Sequence, residues 1–141
     1  IVGRAFVEGQ GGASEQAELP RPADGSYLYR CEVLKVIDGD TLIVHVDLGF
    51  EVIKLQRVRL AGVDAPEGKS AAGKRAAEWV RERLARAERV VLRTEKAGDL
   101  HGRYVAHLFF SGDGEASAEE VFRRGEYLNG RLVKEGLAGV A

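Results

Sequence analysis

From Tyr27 onward, apolar and polar residues alternate along the chain. Val33, Val36 and Ile37 lead into Asp38-Gly39, and beyond them Leu42, Val44, Val46 and Leu48 alternate with Thr41, Ile43, His45 and Asp47. That pattern predicts a β-hairpin closed by a tight Asp-Gly turn. Gly49 marks a second turn, and residues 52–63 predict a third, long strand ending at Asp64-Ala65-Pro66-Glu67. Pro66 has no N–H to give to a ladder, so the strand must stop or bulge there. At residues 70–87 the period becomes helical. Ala76, Ala77, Val80, Leu84 and Ala87 share one stripe, Trp79 borders it, and Glu78, Arg81, Glu82 and Arg86 lie off it. Residues 89–95 and 103–110 predict two further strands. Residues 117–124 predict a helix opened by a Ser117/Glu120 capping box, and residues 128–135 a last short helix with Gly136 after its end.

Three strands, a helix, two strands and a terminal helix give an α+β chain: a five-stranded OB-type barrel with two or three helices. Residues 27–141 are expected to form this domain. Residues 1–26 hold a Gly/Ser/Gln-rich stretch and Leu19-Pro20-Arg21-Pro22, the composition of a partly flexible arm. A short docking strand over residues 1–7 is the lesser alternative.

The 141 residues, 45% hydrophobic and 30% charged, suit one globular domain. No apolar run reaches the roughly 18 residues of a membrane span, so no membrane partner is expected. Cys31 is the only cysteine, which excludes an internal disulfide and makes a cysteine-based metal site a poor fit. The chain opens at Ile1 rather than Met. A trimmed product is expected, with any signal peptide already removed and a secreted or cell-envelope location. The net charge of −1 divides into −2 over residues 1–26 and +1 over the rest. Broad attraction to a polyanion would be weak, so any grip on nucleic acid must be local.

Asp38 reads as an ordinary turn residue before glycine. Asp40 opens a strand, where aspartate is a poor choice, and is a candidate ligand as well as a turn residue. Asp64 and Glu67 flank the proline that ends the third strand; a rigid turn can hold two carboxylates in a fixed relation, although an Asx turn with a solvated Glu67 is the plainer account. Carboxylates suit a hard cation such as calcium, and the three histidines lack zinc-type spacing. Arg59, flanked by apolar residues, needs a partner for its head group. Arg103 follows Asp99-Leu100-His101-Gly102, where a glycine turn aims it from a loop. Planar guanidinium groups bind phosphate bidentately, although most arginines are simply solvated or salt-bridged. His107 reads as packed, His45 as facing solvent or the barrel interior, Cys31 as a small buried hydrophobe and Trp79 as the core or rim of its helix.

Val36-Ile37-Asp38-Gly39-Asp40-Thr41, then Arg59-Leu60 through Asp64-Ala65-Pro66-Glu67, then Asp99 through Gly102-Arg103, then Leu132-Val133-Lys134-Glu135-Gly136-Leu137-Ala138 follow one another as in staphylococcal nuclease domains. The chain resembles that family from about Tyr29 to Ala141. The resemblance implies a calcium-dependent phosphodiesterase cutting DNA and/or RNA to leave 3′-phosphate ends. It implies Asp40 and Asp64 as calcium ligands with the Ala65 carbonyl, and Glu67 as the residue that positions or deprotonates the attacking water. Arg59 and Arg103 would be phosphate clamps, and His101 a substituted terminal-phosphate contact. A monomer is expected. Three departures point to a looser substrate grip: a short loop after Glu67, Leu100-His101 in place of a lysine-tyrosine pair, and a long 111–127 segment. The competing class is a non-catalytic OB-type module that binds nucleic acid or protein. Repulsion within the carboxylate set predicts that, without metal, Asp40→Asn is at least as stable as the native chain.

Overall fold

The computed structural model describes residues 18–98 and 104–141. Its elements run β1 (Leu28–Asp38), β2 (Thr41–Asp47), β3 (Ile53–Leu60), β4 (Val63–Asp64), α1 (Ala71–Ala85), β5 (Arg89–Gly98), β6 (Tyr104–Ser111), α2 (Ala118–Arg124), β7 (Glu126–Tyr127), α3 (Leu128–Lys134) and β8 (Gly139–Val140). The main sheet has the order β3-β2-β1-β5-β6-β7. It closes on itself because β3 also pairs parallel with β6, Val58 to Tyr104, Arg59 to Val105 and Leu60 to Ala106. The result is the closed five-strand OB-type barrel with three helices that the alternation predicts.

The third strand departs from the expectation of one long run. It ends at Leu60, and Gly62 at φ +73° turns the chain before Val63 and Asp64 form β4, which pairs with β8 at the chain's end. A left-handed φ favours glycine here, and a Cβ would in any case come within 2.9 Å of Leu19. The 117–124 helix forms with its full capping box: Ser117 accepts from Glu120 N and the Glu120 carboxylate from Ser117 N. A docking strand over residues 1–7 lies outside the described residues.

Two apolar clusters hold the body together. Inside the barrel, Leu42, Val44, Val58, Leu60, Leu92 and Leu108 meet α1 through Val80 and α3 through Leu128 and Leu132, all buried. The second cluster lies outside the barrel wall. There Phe109 meets Phe122 edge-on and stacks on Tyr127, each at 5.0 Å, with Val91 and Val121 beside them. Residues 18–26 lie against these surfaces. Leu19 contacts both clusters, Arg21 donates to the Phe122 and Gly125 carbonyls, and Asp24 stands 3.7 Å from Arg93.

His107 is packed, as its apolar strand suggests, and also bonded at both nitrogens, to Tyr127 Oη at 2.7 Å and Glu95 at 3.0 Å. Burial lowers its pKa against the opposing pull of Glu95. Cys31 keeps a partly accessible surface, yet burial raises its thiol to about 12, so it behaves as a hydrophobe rather than a nucleophile.

Asn129, fully buried at the start of α3, joins the closing strands. Its Oδ1 accepts from Leu108 N at 3.0 Å, and its Nδ2 donates to Ala61 O at 2.9 Å and Ala106 O at 3.2 Å. Ala106 O keeps a second donor in Ala61 N. Asn129→Ala therefore orphans two backbone groups, Leu108 N–H and Ala61 C=O. At about 1–3 kcal/mol for each buried unsatisfied group, the variant should lose roughly 2–6 kcal/mol in urea denaturation.

Candidate active site

The hairpin between β1 and β2 brings Asp40 to the barrel's edge. Its backbone carbonyl accepts from Leu60 N at 2.8 Å, which ties the turn to the end of β3. The carboxylate is largely enclosed. Oδ2 accepts from Ala65 N at 3.1 Å and Oδ1 from Thr41 Oγ1 at 3.1 Å. Gly39 permits this approach, because a Cβ there would stand 2.9 Å from the Ala76 Cβ and 3.1 Å from the Ala65 Cβ. The Asp-Gly pair thus does more than turn the chain: its glycine lets the segment after Asp64 and helix α1 close on the hairpin.

Arg59 finds the partners its apolar flanks demand. Its Nη2 donates to Val63 O at 3.1 Å and lies 3.7 Å from Asp40 Oδ2. Its side chain keeps 26% exposure against 13% for Asp40. One guanidinium edge is therefore held while other N–H groups remain for a ligand. Asp64 is exposed beside Ala65, so the amide that binds Asp40 belongs to the residue following Asp64. Asp40 and Arg59 thus lie against each other, and the residue that follows Asp64 bonds the Asp40 carboxylate.

Glu67 lies on the loop into α1. Its carbonyl accepts from Ser70 N at 3.0 Å and Ser70 Oγ at 2.6 Å, while the Ser70 hydroxyl also caps the helix by accepting from Gly73 N. A Cβ at Gly73 would fall 1.8 Å from that same carbonyl. The loop is fixed through its backbone, and the Glu67 side chain is left exposed. Asp38, read as a turn residue, has a further part: its Oδ1 would stand 2.1 Å from a Cβ at Gly68, so its carboxylate lies on the loop beside Glu67. Its place next to Gly39-Asp40 was the available signal. Thr41, only 2% exposed, is a second neighbour that the alternation hid among strand residues. Arg103 and His101 lie outside the described residues.

The donors suit a hard cation in kind only, since Asp40 and Asp64 both carry carboxylate oxygens. Among the described residues, no three acidic, histidine or cysteine side chains converge. A cation here would draw its other oxygens from backbone carbonyls and water, and would share Asp40 with Arg59.

The staphylococcal nuclease homologue family model matches residues 57–141, which span Arg59, Asp64 and Glu67. The chain belongs to the staphylococcal nuclease family. Among curated relatives, micrococcal nuclease of Shigella flexneri is 38% identical over 81 residues, covering 57% of this chain and 42% of that protein. Protein ParB of Escherichia coli is 43% identical over 74 residues, covering 52% of this chain and 38% of its own length. The chain spans about two fifths of the length of these relatives. Asp40 precedes the segment matched to the nuclease family, and its bonds to Ala65 and Leu60 join it to that segment.

The bonds to Asp40 favour the opposite of the stability expected from carboxylate repulsion. Arg59 stands 3.7 Å from Asp40 Oδ2 and a donor bonds each carboxylate oxygen, so every oxygen has a partner that an amide would match only in part. Asp40→Asn keeps one acceptor but loses the ion pair and one charged acceptor. In chelator it should be less stable than the native chain by about 1 kcal/mol, the scale of one such hydrogen bond, as read by urea denaturation.

Proposed function

We propose that this chain is a calcium-dependent phosphodiesterase that hydrolyses DNA and/or RNA and leaves 3′-phosphate ends. The observation that carries the reading is the enclosed Asp40 carboxylate, bonded by the Ala65 amide and paired with Arg59, in a chain of a nuclease family. Asp40 and Asp64 would hold the calcium, with the Ala65 carbonyl as a further oxygen. When bound, the cation supplies positive charge and a template for the phosphoryl oxygens.

The remaining work falls to side chains. Attack on phosphorus spreads negative charge over the equatorial oxygens, and preorganised donors aimed there act on the transition state. Arg59 fits this role because Val63 O and Asp40 fix its orientation before substrate arrives. Glu67, exposed on a loop held by its own carbonyl, takes the proton of the attacking water or orients that water. Arg103 serves as a second guanidinium for the phosphate and the leaving oxygen. His101 is a contact to a terminal phosphate.

Digestion of single-stranded DNA and RNA with calcium, then with chelator, tests the reading. Cleavage should need calcium, and the products should resist 3′ extension until a phosphatase removes their terminal phosphate. Asp40→Ala should abolish most activity, and Arg59→Ala should lower kcat about 100- to 1000-fold, the usual cost of one preorganised donor. Nucleic-acid binding with no cleavage under any divalent cation would instead favour a non-catalytic OB-type module.

A further inference from the structure

Strand β3 presents two different faces. Lys54, Gln56 and Val58 turn inward and line a cavity of about 510 Å³ at the barrel mouth, with Leu92 and Tyr104 across from them. By the two-residue period of a strand, Ile53, Leu55, Arg57 and Arg59 turn outward. The register with β2 sets Arg59 opposite Thr41, Arg57 opposite Ile43, Leu55 opposite His45 and Ile53 opposite Asp47. This outer row begins at the candidate active site with two arginines and continues into apolar residues, Leu55 at 61% and Ile53 at 54% exposure.

Two features of the row have no structural explanation in the fold. Arg57 is exposed and makes no ion pair among the described residues, and Ile43 rather than an acid faces it across the strands. Leu55 stands beside the half-exposed His45 ring, a surface that costs free energy when left in water. Acids border the face on its far side: Glu32, 3.8 Å from His45, and Asp47 opposite Ile53. A polyanion on this face would be kept to the β3 side, where both arginines lie.

Residues two apart on a strand are separated by about 6.7 Å, comparable with successive phosphates of an extended nucleic-acid strand. We propose that the outer face of β3 is a substrate track. A single strand whose reacting phosphate lies at Arg59 sets the neighbouring phosphate on Arg57 and lays the next base over Leu55 and His45. The track rests on the nuclease reading for the place of the reacting phosphate. It requires an unpaired base free to lie on an apolar surface, so it selects single strands over duplex. It also supplies a local grip to a chain whose net charge gives little general attraction.

Anisotropy of a fluorescent oligothymidylate in chelator reads binding apart from cleavage. Arg57→Ala should raise Kd roughly tenfold, the scale of one charge-assisted contact, and lower the slope of log K against log salt by about 0.7. Leu55→Ser should weaken binding with no change in slope. The control is Arg124→Ala on α2, a helix that packs on β5, β6 and β1; it should leave the slope unaltered. In turnover with calcium, the loss for Arg57→Ala should fall on KM. Wild-type Kd and slope in both Arg57→Ala and Leu55→Ser would overturn the track even if the enzyme cleaves normally. Arg57-dependent binding by a chain that cleaves nothing would sink the nuclease reading and leave the track standing. A dimer in sedimentation that Leu55→Ser makes monomeric would assign the face to a second copy and overturn the proposal.

Discussion

Asn129 lies where the barrel closes, and the arrangement of the site follows from its bonds. Among the described residues three pairs join β3 to β6, and they are parallel, the less stable of the two ladder types. One fully buried amide reinforces that seam by bonding Ala61, Ala106 and Leu108 together. In a water-free setting a satisfied amide is a rigid joint, because every alternative leaves a polar group without a partner. Immediately beyond the seam Gly62 turns the chain, so the direction in which Asp64 leaves the barrel depends on it. Pairing of β4 with β8 and the bond from Ala141 N to Gly62 O hold the same corner from the far end of the chain.

That corner makes the site half rigid and half open. Asp40 and Arg59 are anchored by backbone groups of Leu60, Val63 and Ala65. Asp64 and Glu67 project from equally fixed backbone but keep exposed side chains. Close contacts at Gly39, Gly68 and Gly73 explain the rigidity, since a side chain at any of them would meet Ala76, Asp38 or Glu67. An anchored guanidinium thus stands beside an enclosed carboxylate, while the exposed Asp64 and Glu67 follow in the next segment of the chain.

The segment between β6 and α3 has a structural task. Helix α2 covers Phe109 and Tyr127 on the outer wall with Phe122 and Val121, and the Arg21 guanidinium lies 5.4 Å over the Phe109 ring while binding two carbonyls of that segment. Residues 18–26 and the 111–127 segment thus cover one another's apolar and polar groups. A second small core thus builds up on the outer wall, where α2 packs on β5, β6 and β1.

The alternation of apolar residues determined the strands, their order and the barrel, because a half-buried strand must put every second side chain inward. Spacing also marked the Ser117/Glu120 cap, while Asp40 stood out by strand propensity, Arg59 by its apolar flanks, and Asp64 and Glu67 by flanking Pro66, their roles coming from the family resemblance. Contacts between residues distant in the chain left no such trace. The break at Ala61-Gly62 was hidden inside a run of strand-like residues, since a single glycine does not reveal that Leu19 and Asn129 press against that turn. Asp38 looked like a turn residue because its contact with Gly68 crosses 30 positions. Repulsion was expected within the carboxylate set, whereas the pairing of Asp40 with Arg59 follows from the β2/β3 register, which sets Thr41 opposite Arg59. The sequence by itself determined which chemical groups are present and which way each strand faces. Only the folded structure decided which groups neutralise one another, because charge pairing depends on distances set by strand register and turn geometry.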